Sequence, residues 1–304
     1  MRFPILAPLT FATFAAAAPL AACVAPTSES TGMTSSAITP FPETCGYDPT
    51  DASSLASLMA APIANDADAD TRFQCLQQIL IDRGDRRAPF ATLYSMTTAN
   101  VMAAVAAGNL FQDGVWVSRY LEAFAELYRA SFYNYEIGHR SQVPDAWLIA
   151  FDTAKSGKEL IAQDLALGVN AHVDRDLAYA LVSVGIGDTP AERASRYADH
   201  TAVNDVLHAE LQSAIAKIAV LYAPGFAAAP ADVMQTLENV FFAGLVAGRQ
   251  VAWDHAVELT DTSGLANDLV EDAIGAESTA LADAILVPEL SPALMAELRA
   301  LEGS

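Results

Sequence analysis

The sequence predicts an all-α protein with a single domain of about eight to ten helices. From about residue 50 onward Ala, Leu, Glu, Gln and Arg dominate, and apolar residues recur at spacings of three and four, as in amphipathic helices. No run alternates apolar and polar residues for long enough to indicate a strand. Start and stop signals, such as Thr189-Pro190 before one helix and Pro224-Gly225 after it, divide the apolar stretches.

The same signals place each helix along the chain. Proline suits the first turn, where its missing N–H would have no helical partner, and this indicates helix starts at Pro89, Pro144, Pro190 and Pro292. In chain order the predicted helices cover residues 70–83, 89–107, a long segment after 113, a short one from 144, 158–184, 190–222, 231–259, 264–286 and a short last one from 292.

The N-terminus has the features of an export signal. One Arg is followed by an apolar run, as in secretion signals, and the run ends in Leu20-Ala21-Ala22-Cys23. This ending resembles the lipobox of bacterial lipoproteins, in which the Cys thiol receives a diacylglycerol and becomes residue one after cleavage. The resemblance implies that residues 1–22 are a signal peptide and that Cys23 is lipidated.

A flexible tether follows the predicted anchor. Twelve of the 21 residues in 24–44 are Ser, Thr or Pro, a composition that does not form a packed core. We expect the folded part, residues 45–304, to lie close to a membrane that it touches only through the lipid. Val24 rather than Asp follows the lipobox Cys, which is similar to the outer-membrane pattern of Gram-negative lipoproteins and implies anchoring in the cell envelope.

The two remaining cysteines predict a disulfide bond. An exported chain meets oxidising conditions, and Cys45 and Cys75 are the pair left once Cys23 is set aside. Their bond would join the start of the domain to its first long helix.

Charge and motif content exclude several functions. The 304-residue chain has 37 acidic and 16 basic side chains and a formal net charge of −21, which disfavours binding to nucleic acid or to anionic lipid. It has no glycine-rich phosphate loop, no Gly-x-Ser-x-Gly elbow and no cysteine left as a nucleophile. Serine or cysteine hydrolysis and nucleotide-driven chemistry are therefore not expected.

The densest polar stretch inside an apolar helix runs from Asn170 to Leu177. His172 and Asp176 are four residues apart, so they share one helix face. A His and a carboxylate at this spacing can ligate a metal or form a general-base pair. They can also satisfy each other as a buried structural pair.

Five segments, taken together, resemble an uncharacterised bacterial family known only as a domain of unknown function. The signature of that family is an Asn-x-His-[Ile/Val]-x-x-Asp-Leu helix, which residues 170–177 match. The resemblance covers roughly residues 88–260 and implies positions of interest rather than a reaction. The matching pieces are Leu121 to Tyr128, Pro144 with Trp147, residues 168–181, Asp199 with Val203, Asn204 and Leu207, and Arg249 with Ala252, Trp253 and Ala256.

These positions suggest a metal-dependent hydrolase. Glu122, His172 and Asp176 would hold one divalent ion, zinc or similar, which lowers the pKa of a bound water. Asp199 would orient that water, and Arg249 would stabilise a developing anion such as phosphate. Convergence of the three ligands on one point would favour this hypothesis, whereas a His172 packed among apolar groups with Asp176 alone would exclude it.

The alternative is a non-catalytic envelope lipoprotein that binds a small ligand or a protein partner. In that case the polar cluster forms a binding pocket. Its predicted lining residues are Asn170, Asn204, Trp147 and Trp253.

Overall fold

The predicted all-α fold is confirmed. The computed structural model describes residues 45–46, 48, 51–226, 231–286, 296, 299–300 and 302–303. These residues are 82% helical, contain no strand and form nine helices in a single domain. Residues 1–44, with the predicted signal peptide, lipidated Cys23 and tether, lie outside the described residues, as does most of the helix predicted from Pro292.

The helices begin where the local chemistry favours a helix start. Thr189 accepts a hydrogen bond from the backbone N–H of Glu192, whose carboxylate in turn accepts from the N–H of Thr189, and Asp113 accepts from the N–H of Trp116. In chain order the helices are α1 (Ser54–Met59), α2 (Asp66–Asp82), α3 (Ala88–Ala107), α4 (Gly114–Glu136), α5 (Asp145–Ser156), α6 (residues 161–184), α7 (Pro190–Tyr222), α8 (Ala231–Asp261) and α9 (Leu265–Leu286).

Helix α6 differs from the continuous α-helix that the sequence predicts. Its ends, Ile161–Val169 and Leu177–Val184, are α-helical, but Asn170–Asp176 forms a π-helix. There the N–H of Leu177 donates to the carbonyl of His172, five residues back. Such π segments are rare in proteins, and many of those that occur lie at functional sites. The irregular segment coincides with the polar motif.

The α6 helix is also the centre of the fold, because it packs against α3, α4, α5, α8 and α9. Two glycines allow the closest approaches. A Cβ at Gly168 would lie 2.5 Å from the Phe90 ring, and a Cβ at Gly248 would lie 2.6 Å from Asp174 Oδ1. A side chain at position 168 would push the Phe90 ring and helix α3 away, and one at position 248 would displace the Asp174 carboxylate.

The predicted Cys45–Cys75 disulfide is present. It joins the start of the domain to α2, with the two Cα atoms 5.4 Å apart. The 30-residue separation corresponds to a stabilisation of about 3–4 kcal/mol in the chain-entropy description.

Helix α3 is, within the described ranges, the one helix long and apolar enough to cross a membrane by length and composition. It nevertheless packs against α2, α4, α6 and α7. Nine of its 20 residues, between Ala88 and Val101, are buried among these neighbours. This packing is that of a helix with one face in the core.

Candidate ligand-binding cavity

A mostly apolar cavity lies between α3, α4, α6, α7 and α8. Its volume is about 80 Å³. Aliphatic and aromatic side chains form most of the wall, among them Val101, Val117, Val203, Leu207, Phe241 and Leu245. The polar side chains that reach it are Tyr94, Thr97, Tyr120, His172, Glu210 and Arg249.

Arg249 on α8 is held at the cavity wall by neutral partners. It is only 4% exposed. Its Nε donates to Asn204 Oδ1 at 2.7 Å, and its Nη2 donates to the backbone carbonyl of His200 at 2.6 Å. Among the described residues, the single hydrogen-bond contact of its Nη1 is the Tyr120 hydroxyl, at 3.5 Å. The guanidinium is therefore fixed in place, and Nη1 makes only a long hydrogen bond.

The protonation of His200 follows from its partners. Its Nε2 lies 3.1 Å from the carbonyl oxygen of Arg249, which can only accept, so Nε2 carries the proton. Burial, followed by the charge of Arg249, holds the pKa of His200 well below its usual value. The ring is neutral, and its Nδ1 is an acceptor that both Tyr120 Oη, at 3.3 Å, and Arg249 Nη2, at 3.4 Å, approach.

A carboxyl group, Glu210, lies further along α7. It accepts from Thr97 Oγ1 at 2.7 Å and from the Asn100 amide. Burial raises the pKa of Glu210 above its usual value. Glu210 and Asn100 also border a more open surface pocket with Asp205 and Val206, so this carboxyl group separates the cavity from the surface.

His172 lies among aromatic rings. Its imidazole stacks on Phe124, with centroids 3.4 Å apart and planes 4° apart, and meets the edge of Tyr94 at 4.5 Å. Nδ1 lies 3.4 Å from Asp176 Oδ2 and therefore carries the proton, and Nε2 is buried with no hydrogen-bond partner among the residues that the structure describes. Burial lowers the pKa of His172, against the opposing effect of Asp176.

Asp176 is fully buried and is used by three neighbours. Trp147 Nε1 donates to Oδ2 and Arg175 Nη1 donates to Oδ1, each at 2.7 Å, in addition to His172. These contacts join α5 to the π segment of α6. The predicted pocket-wall residue Trp147 is thus a core residue bound to Asp176, and it does not line the cavity.

The predicted metal ligands do not form a coordination set. Within the described ranges, no group of three or more His, Cys, Asp or Glu side chains is placed to hold a metal ion. His172 packs among aromatic rings with Asp176 as its polar partner, which is the arrangement that counts against the hydrolase hypothesis. Glu122 is partly buried on α4 and does not line the cavity.

Asp199 has a structural contact instead of a catalytic one. Its two carboxylate oxygens accept from the backbone N–H groups of Gln112, at 2.7 Å, and Asp113, at 2.9 Å. They thereby fasten α7 to the start of α4. The structure does not bring Asp199 into the cavity with Arg249.

The remaining predicted ligand-binding residues lie in three places. Asn204 is at the cavity edge as the partner of Arg249. Asn170 is fully buried and donates to the carbonyl of Ser278, which links α6 to α9. Trp253 packs on the rings of Tyr197 and His200, behind the Arg249 contact.

Four polar residues of the cavity wall were not anticipated from the sequence: Tyr94, Thr97, Tyr120 and Glu210. His200, which contacts Arg249 without lining the cavity, had a usable signal, because it precedes Asn204 by four residues and so shares its helix face. The four wall residues come from long helices, and nothing in the local pattern distinguishes them. Their roles depend on which helices meet.

Comparison with known proteins gives a family. A family described as a family of unknown function, DUF5995, matches residues 67–288. The chain belongs to this family. The resemblance to a domain of unknown function is thereby confirmed over a longer stretch than residues 88–260. No curated protein and no solved structure is significantly similar to the chain.

Proposed function

We propose that this DUF5995 protein is an exported, lipid-anchored protein of the cell envelope that binds a small, mostly apolar molecule in the cavity between α3, α4, α6, α7 and α8. The observation that carries the binding proposal is the cavity itself. Its wall is largely apolar, and buried polar atoms with unused hydrogen-bonding capacity reach it. This combination is typical of small-molecule sites.

Two of those polar atoms support a ligand rather than an empty core. In the described part of the chain, the Nε2 acceptor of His172 and the hydroxyl of Tyr94 are both buried without hydrogen-bond partners. Leaving such a group unsatisfied costs about 1–3 kcal/mol. Burial raises the pKa of Tyr94 well above its usual value, so its hydroxyl stays a donor. A ligand with one polar group would satisfy either atom while its apolar part fills the cavity.

Binding is tested by methyl NMR of the purified chain titrated with 1-octanol, a neutral apolar probe. We expect saturable shifts at the cavity methyl groups of Val203, Leu207 and Leu245. Val203→Phe fills the cavity and should abolish the shifts at the remaining reporters, Leu207 and Leu245. Ile274→Phe is the matched control, because it enlarges a buried side chain of α9 that does not line the cavity. Shifts that persist unchanged in Val203→Phe would contradict the proposal.

The location is supported by the sequence signals at Cys23 and in residues 24–44. A Cys23→Ser substitution tests it, because serine cannot take the thioether-linked lipid. We expect the protein to lose labelled fatty acid and to leave the membrane fraction. Retention of both label and membrane association would overturn the anchoring proposal and leave the cavity proposal intact.

Metal-dependent hydrolysis stays a hypothesis that this geometry does not favour. Metal analysis of the purified chain beside a His172→Ala variant addresses it directly. We expect equal metal content in the two proteins, since no third ligand accompanies His172 and Asp176 in the described part of the chain. Metal bound by the wild type and lost in His172→Ala would restore the hydrolase hypothesis.

A further inference from the structure

Resting on the proposed function, we infer that the ligand is an amphiphilic monocarboxylate whose carboxylate group binds Arg249 and Tyr120. The inference concerns the chemistry of the ligand. It follows from a missing charge partner and from a surplus of hydrogen-bond donors at one end of the cavity.

A comparison of the buried arginines shows that Arg249 lacks a charged partner among the described residues. Three arginines in the described part of the chain are almost fully buried, namely Arg87, Arg129 and Arg249. Arg87 pairs with two carboxylates, of Asp85 and Glu136, and Arg129 pairs with that of Glu126. The guanidinium of Arg249 contacts only an amide oxygen, a backbone carbonyl, a hydroxyl and a neutral imidazole among these residues. Buried charges in proteins are ordinarily paired.

The hydrogen-bond donors of Arg249 and Tyr120 outnumber the acceptor atoms that contact them, which also indicates a missing acceptor. A guanidinium has five N–H groups and the Tyr120 hydroxyl adds one, whereas four acceptor atoms contact them. The neutral ring of His200 has one acceptor lone pair, at Nδ1, yet Tyr120 Oη and Arg249 Nη2 both approach it. Nη1 has two N–H groups and one contact, and the His200 lone pair can serve only one of its two donors, so two donors have no partner among the described residues.

The cavity is where the missing acceptor would come from. Both Arg249 and Tyr120 line it, and each is only 4% exposed to solvent. An anionic oxygen near Nη1 would accept from the guanidinium and from Tyr120, and would supply the absent negative charge. Hydrogen bonds of this charge-assisted kind are the strong ones.

The remaining walls restrict the anion to a small one on an apolar body. Arg249 is the single Lys or Arg that lines the cavity in the described part of the chain, which suits a carboxylate rather than a phosphate dianion. Along α7, Glu210 is six residues beyond Asn204 and ten beyond His200, or about 9–15 Å at 1.5 Å per residue. An aliphatic chain would run from Arg249 toward Glu210 between apolar side chains.

The experiment compares sodium octanoate with 1-octanol, which has the same chain but no charge, by methyl NMR titration of the purified chain. We expect octanoate to bind about tenfold more tightly than octanol, as one charge-assisted contact allows. Arg249→Gln should remove that preference and leave octanol binding in place. Arg193→Gln is the matched control, because this arginine of α7 forms a surface ion pair with Asp261 outside the cavity.

Each outcome decides between the two proposals. Equal affinity for octanoate and octanol in the wild type, with the cavity methyl groups responding to both, would overturn the carboxylate inference and keep the cavity proposal. No saturable response to either probe would overturn both. If Arg249→Gln does not fold, Tyr120→Phe decides: it should weaken octanoate several-fold and octanol little, and an equal effect on both would count against the inference.

Discussion

The two buried histidines of the molecule have opposite surroundings. His172, in the π segment of α6, is enclosed by aromatic rings and leans on Asp176, which Trp147 and Arg175 also use. His200, on α7, is joined to Arg249, whose charge has no carboxylate partner among the described residues. The first is mainly a structural cluster, in which only Nε2 of His172 faces the cavity without a partner among the described residues, and the second has several unused donors at the same cavity.

This difference shows that polar residues close together in sequence need not form the site. The motif of α6 places its polar groups within seven residues, and the fold uses most of them to join helices. The Arg249 cluster draws one residue each from α4 and α8 and two from α7, far apart in the chain. Its unused donors are the feature that indicates a ligand.

The largest effect is expected from removing Asp176, which tests whether the α6 cluster is structural. Asp176→Ala leaves the Trp147 indole N–H and the charge of Arg175 without their buried acceptor. We expect a loss of about 3–5 kcal/mol in the free energy of unfolding, measured by urea denaturation. Asp254→Ala, at an exposed site on α8, is the control and should change stability by less than about 0.5 kcal/mol. Similar small effects at both sites would show that the α6 cluster is not structural.

A second test addresses the close packing of α6. Gly168→Ala puts a Cβ 2.5 Å from the Phe90 ring, a stiff neighbour in the core, and should destabilise by about 1–3 kcal/mol. Gly275→Ala is the matched control, since its Cβ meets nothing within 4 Å on α9 and should stabilise by about 0.5–1 kcal/mol. Thermal unfolding of both variants measures whether each substitution lowers or raises the stability of the protein. A Gly168→Ala variant as stable as wild type would mean that α3 and α6 can separate without cost.

The smallest expected effect is a pH-dependent one at Asp174, within the π segment. Burial, with a contribution from Glu277, raises the pKa of Asp174 to about 7. Between about pH 4 and 7 the native state therefore holds a proton that the unfolded state has lost, and stability from this group falls as pH rises. Asp174→Asn should gain about 1–2 kcal/mol at pH 8 and nothing near pH 4.

The control for Asp174→Asn is Asp152→Asn, for which the expected change in stability at pH 8 has the opposite sign. Arg140, through a hydrogen bond, lowers the pKa of Asp152, so this carboxylate contributes stability that is present at neutral pH and lost in acid. Asp152→Asn should therefore lower stability at pH 8 and have no effect in strong acid. Urea titrations at several pH values measure both variants. A gain for Asp174→Asn that does not depend on pH would exclude the charge of Asp174 as its cause.

Much of the fold could be predicted because it depends on local chemistry. Proline at a first turn and the Thr189 cap fix helix starts whatever the helices later contact, and the start of α7 at Pro190 agrees with the prediction. The short helix α1 was missed, since six residues carry too little periodicity. The π segment was missed because its apolar spacing is compatible with a continuous α-helix.

The site could be predicted only in part. Arg249 and Asn204 were selected from the sequence and do contact each other, with Arg249 in the cavity wall, whereas Glu122 and Asp199 do not join them. The partners Tyr120 and Glu210 carry no local mark, because a tyrosine or a glutamate in a long helix is ordinarily at the surface or in the core. Their role at the cavity is visible only in the tertiary structure, where α4 and α7 both line it.

By itself, the sequence determined the all-α class, most helix limits, the disulfide between Cys45 and Cys75 and the family, since each depends on local pattern or on the count of a residue type. The tertiary structure alone decided that His172 is packed in aromatic rings and that Arg249 is buried without a counter-charge in the described residues. Those two facts depend on distances between helices, and residue spacing along one helix does not contain them.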